Sequence, residues 1–228
     1  MNASQAYSPT LAQSYNARHF GGASGQFILQ KDVAAVLSLL PPPPAQVLDI
    51  PCGTGVYTSA LRARNYQVIA ADASWSMLRI AELPSGAAKL QANIMHLPLG
   101  PNSLDAVVIL RLFSHFQPEA IEQSLKELRR IIKPGGHILF DSFRWTPRRW
   151  PLLRRFMTQD YIHTYSPAEI RGMIASADLQ VKATTWRYLF SPIWQRKLPL
   201  PLLRGLTKIE SALPQHWLLR TFWACTKE

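Results

Sequence analysis

The segment VLDIPCGTGVYT, at residues 47–58, combines an acid with two glycines at a spacing that suits ligand binding. An apolar run ends at Asp49, and the chain then passes through Gly53 and Gly55 into the start of a helical pattern. Because glycine has no Cβ, the backbone can turn tightly there and approach a ligand closely. The turn also directs the free N–H groups of the helix start at that ligand. We therefore predict a nucleotide-like ligand at the end of this first strand.

Two acids distinguish among the nucleotide ligands that such a turn can bind. Asp72 ends the next apolar run, 17 residues after Gly55, where a carboxylate can accept hydrogen bonds from both ribose hydroxyls. The dinucleotide pattern G-x-G-x-x-G lacks its third glycine, because Thr58 stands there, and the pattern G-x-x-x-x-G-K-[ST] is absent. Asp49 would repel a pyrophosphate but suits an ammonium or a sulfonium. This asymmetry favours S-adenosylmethionine over NAD.

Strand-like and helix-like segments alternate around this motif. Apolar runs predict strands at residues 46–50, 67–71, 87–92, 106–110 and 137–141. Helical patterns lie between them, at residues 57–64, 74–82 and 118–132, and the sequence KPGG at residues 133–136 ends the last of these. Farther on, the sequence predicts a helix at residues 167–177 and strands at residues 181–188 and 221–226. This alternation predicts an α/β fold built on a parallel sheet.

Composition limits the class of protein. The 228 residues fit one domain, and 47% apolar with 17% charged residues allow a folded core. No stretch approaches the roughly 18 apolar residues of a membrane-spanning helix, and no secretory signal is visible. The two cysteines exclude a disulfide framework, and the histidines show no metal-ligand spacing, so no metal is expected. These features favour a cytoplasmic protein.

The net charge of +11 is concentrated in the second part of the chain. Residues 1–142 hold 11 basic and 9 acidic side chains, whereas residues 143–228 hold 14 and 5. Two segments of this second part, residues 144–157 and 194–206, combine arginine with aromatic and aliphatic residues. Such segments can form a cap with solvated arginines, lie on an anionic membrane, or bind nucleic acid.

Five pieces between residues 45 and 141 follow one another in a recognisable order: VLDIPCGTG, VIAADASWSML, ANIMHLPL, LDAVVIL and LKELRRIIKPGGHILF. They resemble class I S-adenosylmethionine-dependent methyltransferases, of the group typified by small-molecule and quinone methyltransferases. The resemblance implies a Rossmann-like α/β fold with a seven-stranded, mainly parallel sheet, an antiparallel last strand and a small helical cap. Around this core we expect one domain, with lid helices at residues 1–40, a cofactor core at 45–142, a basic aromatic cap at 143–220 and a last strand at 221–228. Two inserts, at about residues 143–165 and 189–220, would form the cap.

The family's cofactor loop falls on the glycine turn of this chain. By resemblance, Asp49, Gly53 and Gly55 would hold the methionine end of S-adenosyl-L-methionine, in a loop that Pro51 and Cys52 begin. Pro51 replaces the more common first glycine of the family, which removes one N–H donor and fixes φ at that position.

The family's contacts to the nucleoside fall on the ends of the next strands. By resemblance, Asp72 would bind the ribose, Ala73, Met77, Asn93 and Ile94 would line the adenine pocket, and Leu110 would lie under the methionine moiety. Asn93 stands where the family usually has an aspartate, and its carbonyl oxygen can still accept a bond from the adenine amino group.

Three residues are candidates for roles near the methyl acceptor. Methyl transfer can rest mostly on in-line positioning, with a base where the nucleophile carries a proton. His115 would be that general base or a helix-surface residue, and Arg111 would hold an anionic group of the substrate or pair with a nearby acid. Tyr15 would face the active site from the N-terminal lid.

The Trp, Leu, Phe and Tyr content of the cap favours methyl transfer to a hydrophobic or aromatic small molecule, lipid-linked or anionic in character. Oxygen is the expected acceptor atom on family frequency alone. Two alternatives stay open: an RNA methyltransferase that uses the basic second part, and an inactive cofactor-binding scaffold at a membrane surface. Nucleic acid is the less favoured partner because no RNA-binding module is visible, and a peripheral contact with anionic membrane is compatible with the charge.

Overall fold

In the computed structural model, which describes Asn16 and residues 20–144 and 163–228, seven strands form one sheet. They are β1 (Gln46–Asp49), β2 (Gln67–Asp72), β3 (Ala88–Gln91), β4 (Leu104–Ile109), β5 (Ile132–Phe143), β6 (Gln180–Arg187) and β7 (Arg220–Thr226). Their order across the sheet is β3-β2-β1-β4-β5-β7-β6. Strands β1 to β5 pair in parallel, and β7 runs antiparallel to both β5 and β6. The predicted mainly parallel sheet with an antiparallel last strand is confirmed.

The described residues form seven α-helices: α1 (Gly22–Leu37), α2 (Val56–Arg62), α3 (Trp75–Ile80), α4 (Pro118–Ile131), α5 (Pro167–Ser176), α6 (Pro192–Gln195) and α7 (Leu200–Ala212). Helices α2, α3, α4 and α5 lie where the helical patterns predict them. The helical patterns do not extend to α1, α6 or α7, which lie in the regions expected to form the lid and the cap. The start of α5 is fixed by a capping box, in which Ser166 Oγ accepts from the Glu169 N–H at 3.2 Å and the Glu169 carboxylate accepts from the Ser166 N–H at 2.6 Å.

The largest difference from the predicted elements lies at the start of β5. The sequence predicts a break at residues 133–136, but β5 begins at Ile132 directly after α4. Leu104 of β4 pairs with Ile132, and the next pair joins Ala106 to His137, so the residues between bulge out of the ladder. Gly135 has a φ of +72° there, a conformation open to glycine, which lets the strand continue past the bulge.

The core packs on both faces of the sheet because strand side chains alternate. On one face, Leu48, Val107 and Phe140 pack with the apolar stripes of α4 and α5. On the other face, Val47 and Val108 pack with α1 and α2. Both faces of the central strands are therefore covered, as in α/β proteins with a parallel sheet. Because β1, β2 and β4 run parallel, their carboxyl ends meet at one edge of the sheet.

Two short helices from the 189–220 insert pack against α1. Ser24 Oγ donates to the Leu198 carbonyl oxygen at 2.8 Å, and the Lys31 ammonium lies 2.6 Å from a Glu210 carboxylate oxygen on α7. The other predicted insert, at residues 143–165, lies mostly outside the described residues. Among the described helices, none has the length and apolar character needed to cross a bilayer.

Candidate functional site

The glycine turn leaves the end of β1 and leads into α2. The Cys52 N–H donates to the Ala71 carbonyl oxygen at 2.7 Å, which ties the turn to β2. Gly53 has a φ of +53°, and a Cβ built there would meet no atom within 4 Å. Gly55 has a φ of +84° and caps α2, and a Cβ there would lie 2.4 Å from Leu83 Cδ2. Gly53 therefore leaves open space beside the turn, and Gly55 permits close packing behind it.

Pro51 and Cys52 begin the turn, as the sequence predicts for this loop. Cys52 is buried, and burial together with the nearby Asp49 and Asp72 carboxylates raises the pKa of its thiol. A protonated, buried thiol is a poor nucleophile, so Cys52 contributes packing in this position.

Asp72 closes the turn from the end of β2. Its Oδ2 accepts from the Gly53 N–H at 2.9 Å and its Oδ1 accepts from the Ser74 N–H at 2.8 Å. Burial raises the pKa of Asp72, although the hydrogen bonds from these backbone N–H groups act to lower it. Each carboxylate oxygen has a second lone pair that can accept a further hydrogen bond. The carboxylate is thus held in place beside the turn with acceptor capacity left for a ligand hydroxyl.

Asp49 is the other acid of the turn, and its side chain is only 1% exposed. Thr58 Oγ1 donates to Asp49 Oδ2 at 2.5 Å. Burial, with a contribution from the Asp72 charge, raises the pKa of Asp49 to about 7. Neither Asp49 nor Asp72 forms a salt bridge with any described residue. Because a buried carboxylate is costly without a cation, this site fits a ligand that brings its own positive charge.

The residues assigned to the adenine pocket follow β2, β3 and β4 at the same edge of the sheet. Met77, Ile94 and Leu110 are buried, and Ala73 is half-buried. Asn93 is exposed, and its Oδ1 accepts from the Met95 N–H at 3.0 Å, so the amide is oriented by the turn that it begins. These positions are compatible with an adenine pocket, and the individual contacts stay predictions.

Arg111, one of the candidates near the acceptor, follows β4 with a left-handed φ of +60°. Its N–H donates to Asp141 Oδ1 at 2.6 Å, and its Nη2 lies 3.4 Å from Asp32 Oδ2. The guanidinium also lies over the Phe20 ring, 4.8 Å from its centroid, and the side chain is 23% exposed. Of the two roles considered for Arg111, pairing with a nearby acid is present in the structure.

His115 and Tyr15 are the other two candidates. His115 ends a short 3-10 helix, Phe113–His115, and is exposed at the carboxyl edge of β4. Tyr15 lies outside the described residues. Its neighbour Asn16 is described, and Asn16 Oδ1 accepts a hydrogen bond from Thr54 Oγ1 of the glycine turn. Asn16 therefore contacts the glycine turn, and the catalytic roles of His115, Arg111 and Tyr15 stay predictions.

Sequence reasoning missed a buried charge cluster beside this site. Arg220 at the start of β7 bonds both oxygens of Asp32 at 2.8 and 2.9 Å, and its Nε donates to Asp141 Oδ2 at 2.7 Å. The hydroxyls of Tyr57 and Tyr188 donate to Asp32 at 2.8 and 2.6 Å. Burial opposes ionisation of Asp32, but the Arg220 and Arg111 guanidiniums and the tyrosine hydroxyls together lower its pKa. No local pattern marks this cluster, because Asp32 and Arg220 are 188 residues apart.

No group of three or more His, Cys, Asp or Glu side chains is arranged to hold a metal ion within the described residues.

Comparison with known proteins gives three findings. Residues 48–140 match the model of a family described as "Methyltransferase domain". The chain is 34% identical over 107 residues to a demethylmenaquinone methyltransferase of Thermobifida fusca, a match that covers 44% of each chain. It is 26% identical over 185 residues to a ubiquinone biosynthesis O-methyltransferase of Xanthomonas campestris pv. campestris, a match that covers 74% of each. The matched part thus spans about half the length of the first of these curated relatives.

The fold is shared with solved methyltransferases. A magnesium protoporphyrin IX methyltransferase from Synechocystis PCC 6803, solved with bound SAH, superposes with a TM-score of 0.66 over 96% of this chain and 94% of that one, at 12% identity. The comparisons confirm the predicted resemblance and fold class.

Proposed function

Because residues 48–140 form a class I S-adenosylmethionine-dependent methyltransferase domain, with S-adenosyl-L-methionine as its cofactor, we propose that the protein methylates a hydrophobic or aromatic small molecule. When bound, the cofactor supplies an electrophilic methyl group on a sulfonium. The observation that carries this proposal is the pair of buried acids, Asp49 and Asp72, which lack a cationic partner among the described residues beside the open turn at Gly53.

The residues of the turn have separate tasks in this proposal. Asp49 would hold the ammonium of the methionine end, and the Gly53 backbone would approach the ligand where no side chain intervenes. Asp72, already oriented by the Gly53 and Ser74 N–H groups, would accept from the ribose hydroxyls. Holding the ligand in this way fixes the direction in which the methyl group leaves, which is the main requirement for in-line transfer.

The acceptor would lie near the carboxyl end of β4, between the glycine turn and the segment before α1. Arg111 and Phe20 contact each other there, and Asn16 reaches Thr54 of the turn. We propose that residues 1–40, including Tyr15, act as a lid over this region and that residues 143–220 form the cap. His115 would accept the proton of a hydroxyl acceptor, directly or through water. An anionic group on the acceptor would face the exposed part of the Arg111 guanidinium.

Transfer to oxygen is the favoured reaction. The Xanthomonas relative is named as an O-methyltransferase of ubiquinone biosynthesis, and the Thermobifida relative as a methyltransferase of demethylmenaquinone. These names support a quinone-like or other lipid-linked acceptor. We place the protein in the cytoplasm, in peripheral contact with membrane.

The cofactor is tested by calorimetric titration of the full chain with S-adenosylmethionine and with its demethylated product. We expect micromolar binding to the wild type and to a control, Glu122→Ala on α4. Asp49→Ala should weaken binding by at least about 100-fold, because a buried charge pair is lost. Absence of binding at millimolar ligand would refute the proposal.

The acceptor class is tested by methyl transfer to a panel of hydroxylated quinones, phenols and RNA, with labelled methyl donor. Label on a hydrophobic phenol or quinol supports the proposal. Label on RNA alone would favour an RNA methyltransferase. Under our assignment, His115→Gln lowers kcat without weakening cofactor binding.

A further inference from the structure

Large apolar side chains are exposed mainly on one part of the described chain. Of six that the described residues expose by more than half, five fall between residues 189 and 217, and Trp75 is the sixth. The five are Phe190, Trp194, Leu202, Ile209 and Trp217, with exposed fractions between 53% and 62%. Apolar exposure of this kind, repeated within one short segment, marks a surface that contacts something other than water.

Helix α7 explains how these side chains come to be exposed. Its buried positions are Leu203 and Glu210, seven residues apart, which face the core side of the helix. Leu202 and Ile209 are also seven residues apart, so they share a second stripe, rotated by about 100° from the first. Packing on α1 therefore buries one stripe of α7 and leaves an apolar stripe uncovered by the described residues.

The charges around these side chains have one sign. Residues 189–217 contain four basic residues, Arg196, Lys197, Arg204 and Lys208, and one acid, Glu210. Glu210 is 4% exposed and paired with Lys31, so it does not offset the outward charge. We call the exposed apolar and basic side chains of residues 189–217 the basic apolar surface.

One contact on this surface is typical of the membrane interface. The Lys197 ammonium lies over the exposed Trp194 ring, 5.0 Å from its centroid. Tryptophan and lysine favour the headgroup level, where the ring is partly shielded from water and the ammonium remains hydrated and close to lipid phosphates. A basic, amphipathic helix beside such a pair has the composition of segments that lie in the plane of an anionic bilayer.

The basic apolar surface is held firmly to the part of the protein that adjoins the cofactor turn. Gln195 Nε2 donates to Glu210 Oε1 at 2.8 Å, which joins α6 to α7. Ser24 at the start of α1 bonds the Leu198 carbonyl. Phe20, just before α1, packs against Tyr57 of α2 and under Arg111. A lipid-soluble molecule that left a bilayer at this surface would thus enter near the proposed acceptor region.

We propose that the basic apolar surface binds anionic phospholipid bilayers. Its basic side chains face lipid phosphates, and Trp194, Leu202 and Ile209 enter the headgroup and acyl boundary. Membrane binding stands on the surface itself, whereas delivery of the acceptor from the bilayer rests on the proposed function.

The test is cosedimentation of the full chain with vesicles of phosphatidylcholine alone or with about one third phosphatidylglycerol. One variant removes apolar contacts, Trp194→Ser/Leu202→Ser/Ile209→Ser, and a second reverses charges, Lys197→Glu/Arg204→Glu/Lys208→Glu. Trp75→Ser is the matched apolar control, and Arg64→Glu/Arg79→Glu/Lys126→Glu is the matched charge control. S-adenosylmethionine binding is measured on every protein, so that folding and the proposed function are scored separately from membrane binding.

We expect wild-type protein to bind anionic vesicles and not neutral ones. Both surface variants should bind at least about tenfold more weakly with cofactor binding retained, and both controls should match the wild type. Failure of the wild type to bind anionic vesicles would overturn the proposal. An equal loss of vesicle binding in the charge control would also overturn it, because binding would then depend only on the net charge of the protein. Binding to an RNA oligomer that excludes vesicle binding would assign the surface to nucleic acid instead.

Discussion

Two pairs of buried acids lie at the carboxyl edge of the sheet and differ in what neutralises them. Asp32 and Asp141 are joined by Arg220, and the hydrogen bonds and guanidiniums around Asp32 lower its pKa. Asp49 and Asp72 have no salt bridge within the described residues, and their pKa values are raised.

This difference separates a structural role from a ligand-binding one. The neutralised pair joins α1, β5 and β7, and thereby fixes the N-terminal helix on the sheet. The other pair keeps a cost of burial that protonation or an added cation can offset. We therefore expect changes in the first pair to act on folding and changes in the second to act on cofactor binding.

The largest effect is expected for Arg220→Met. It leaves Asp32 and Asp141 buried without their shared cation, which should lower the free energy of unfolding by about 3–5 kcal/mol. Urea denaturation measures this loss. Arg171→Met removes an exposed arginine that lies 5.5 Å over the Trp223 ring and should cost less than about 1 kcal/mol. Equal losses in the two variants would contradict a special role for the buried cluster.

Asp49→Asn should have the opposite effect, with cofactor binding weakened and the stability of the fold retained. The amide can still accept from Thr58, so the ligand-free protein should be as stable as the wild type, or more stable, near pH 8. Cofactor binding should weaken by about 3 kcal/mol, because the buried charge that faces the cation is gone. Denaturation and calorimetry on the same preparation compare the two quantities. A large loss of stability with normal binding would reverse our assignment.

The pH dependence should distinguish the two acid pairs. Burial raises the pKa of Asp49 to about 7, against about 4 in an unfolded chain, so its contribution to stability is complete below pH 4 and is lost as pH rises through 7. The lowered pKa of Asp32 acts in the opposite direction, and its contribution is lost as pH falls below about 4.

Cofactor affinity should follow the ionisation of Asp49. As pH rises towards 7, we expect Kd to fall by about tenfold per pH unit, and above pH 7 it should level off. The Asp49→Asn variant should show a much flatter profile. Calorimetry between pH 5.5 and pH 8 measures both, with the range set by the pKa of about 7. A wild-type profile identical to that of Asp49→Asn would argue against ionised Asp49 as the ligand for the cation.

The smallest effect is expected for Tyr188→Phe. Its hydroxyl donates to Asp32 Oδ1 at 2.6 Å, and loss of this bond to a charged acceptor should cost about 1.5 kcal/mol of stability. Cofactor affinity should not change, since Tyr188 belongs to the neutralised cluster. Thermal denaturation with and without S-adenosylmethionine reports both effects. A smaller ligand-induced rise in Tm for the variant would contradict the assignment of Tyr188 to the structural pair of acids.

The parts of the fold that sequence reasoning captured are those with local causes. Glycine at positions 53 and 55, the acids that end β1 and β2, and the period of each strand and helix all act within a few residues. These features predicted the sheet and the glycine turn together.

The parts that it missed depend on contacts between distant residues. The bulge at residues 133–136 follows from the pairing of β5 with β4, which no local pattern specifies. Arg220 looks like one more basic residue of the second part until β7 brings it against Asp32 and Asp141. Arg111 similarly pairs with Asp32, which lies 79 residues away in the sequence.

NMR titration of the Asp49 side-chain carboxyl tests most directly whether this buried acid pairs with the positive charge of the cofactor. With carbon-13-labelled aspartate, and Asp49→Asn to assign the signal, we predict a pKa near 7 in the ligand-free protein. Saturation with S-adenosylmethionine should lower that pKa clearly, because the bound cation favours the carboxylate. A pKa that stays the same in the saturated complex would contradict the claim.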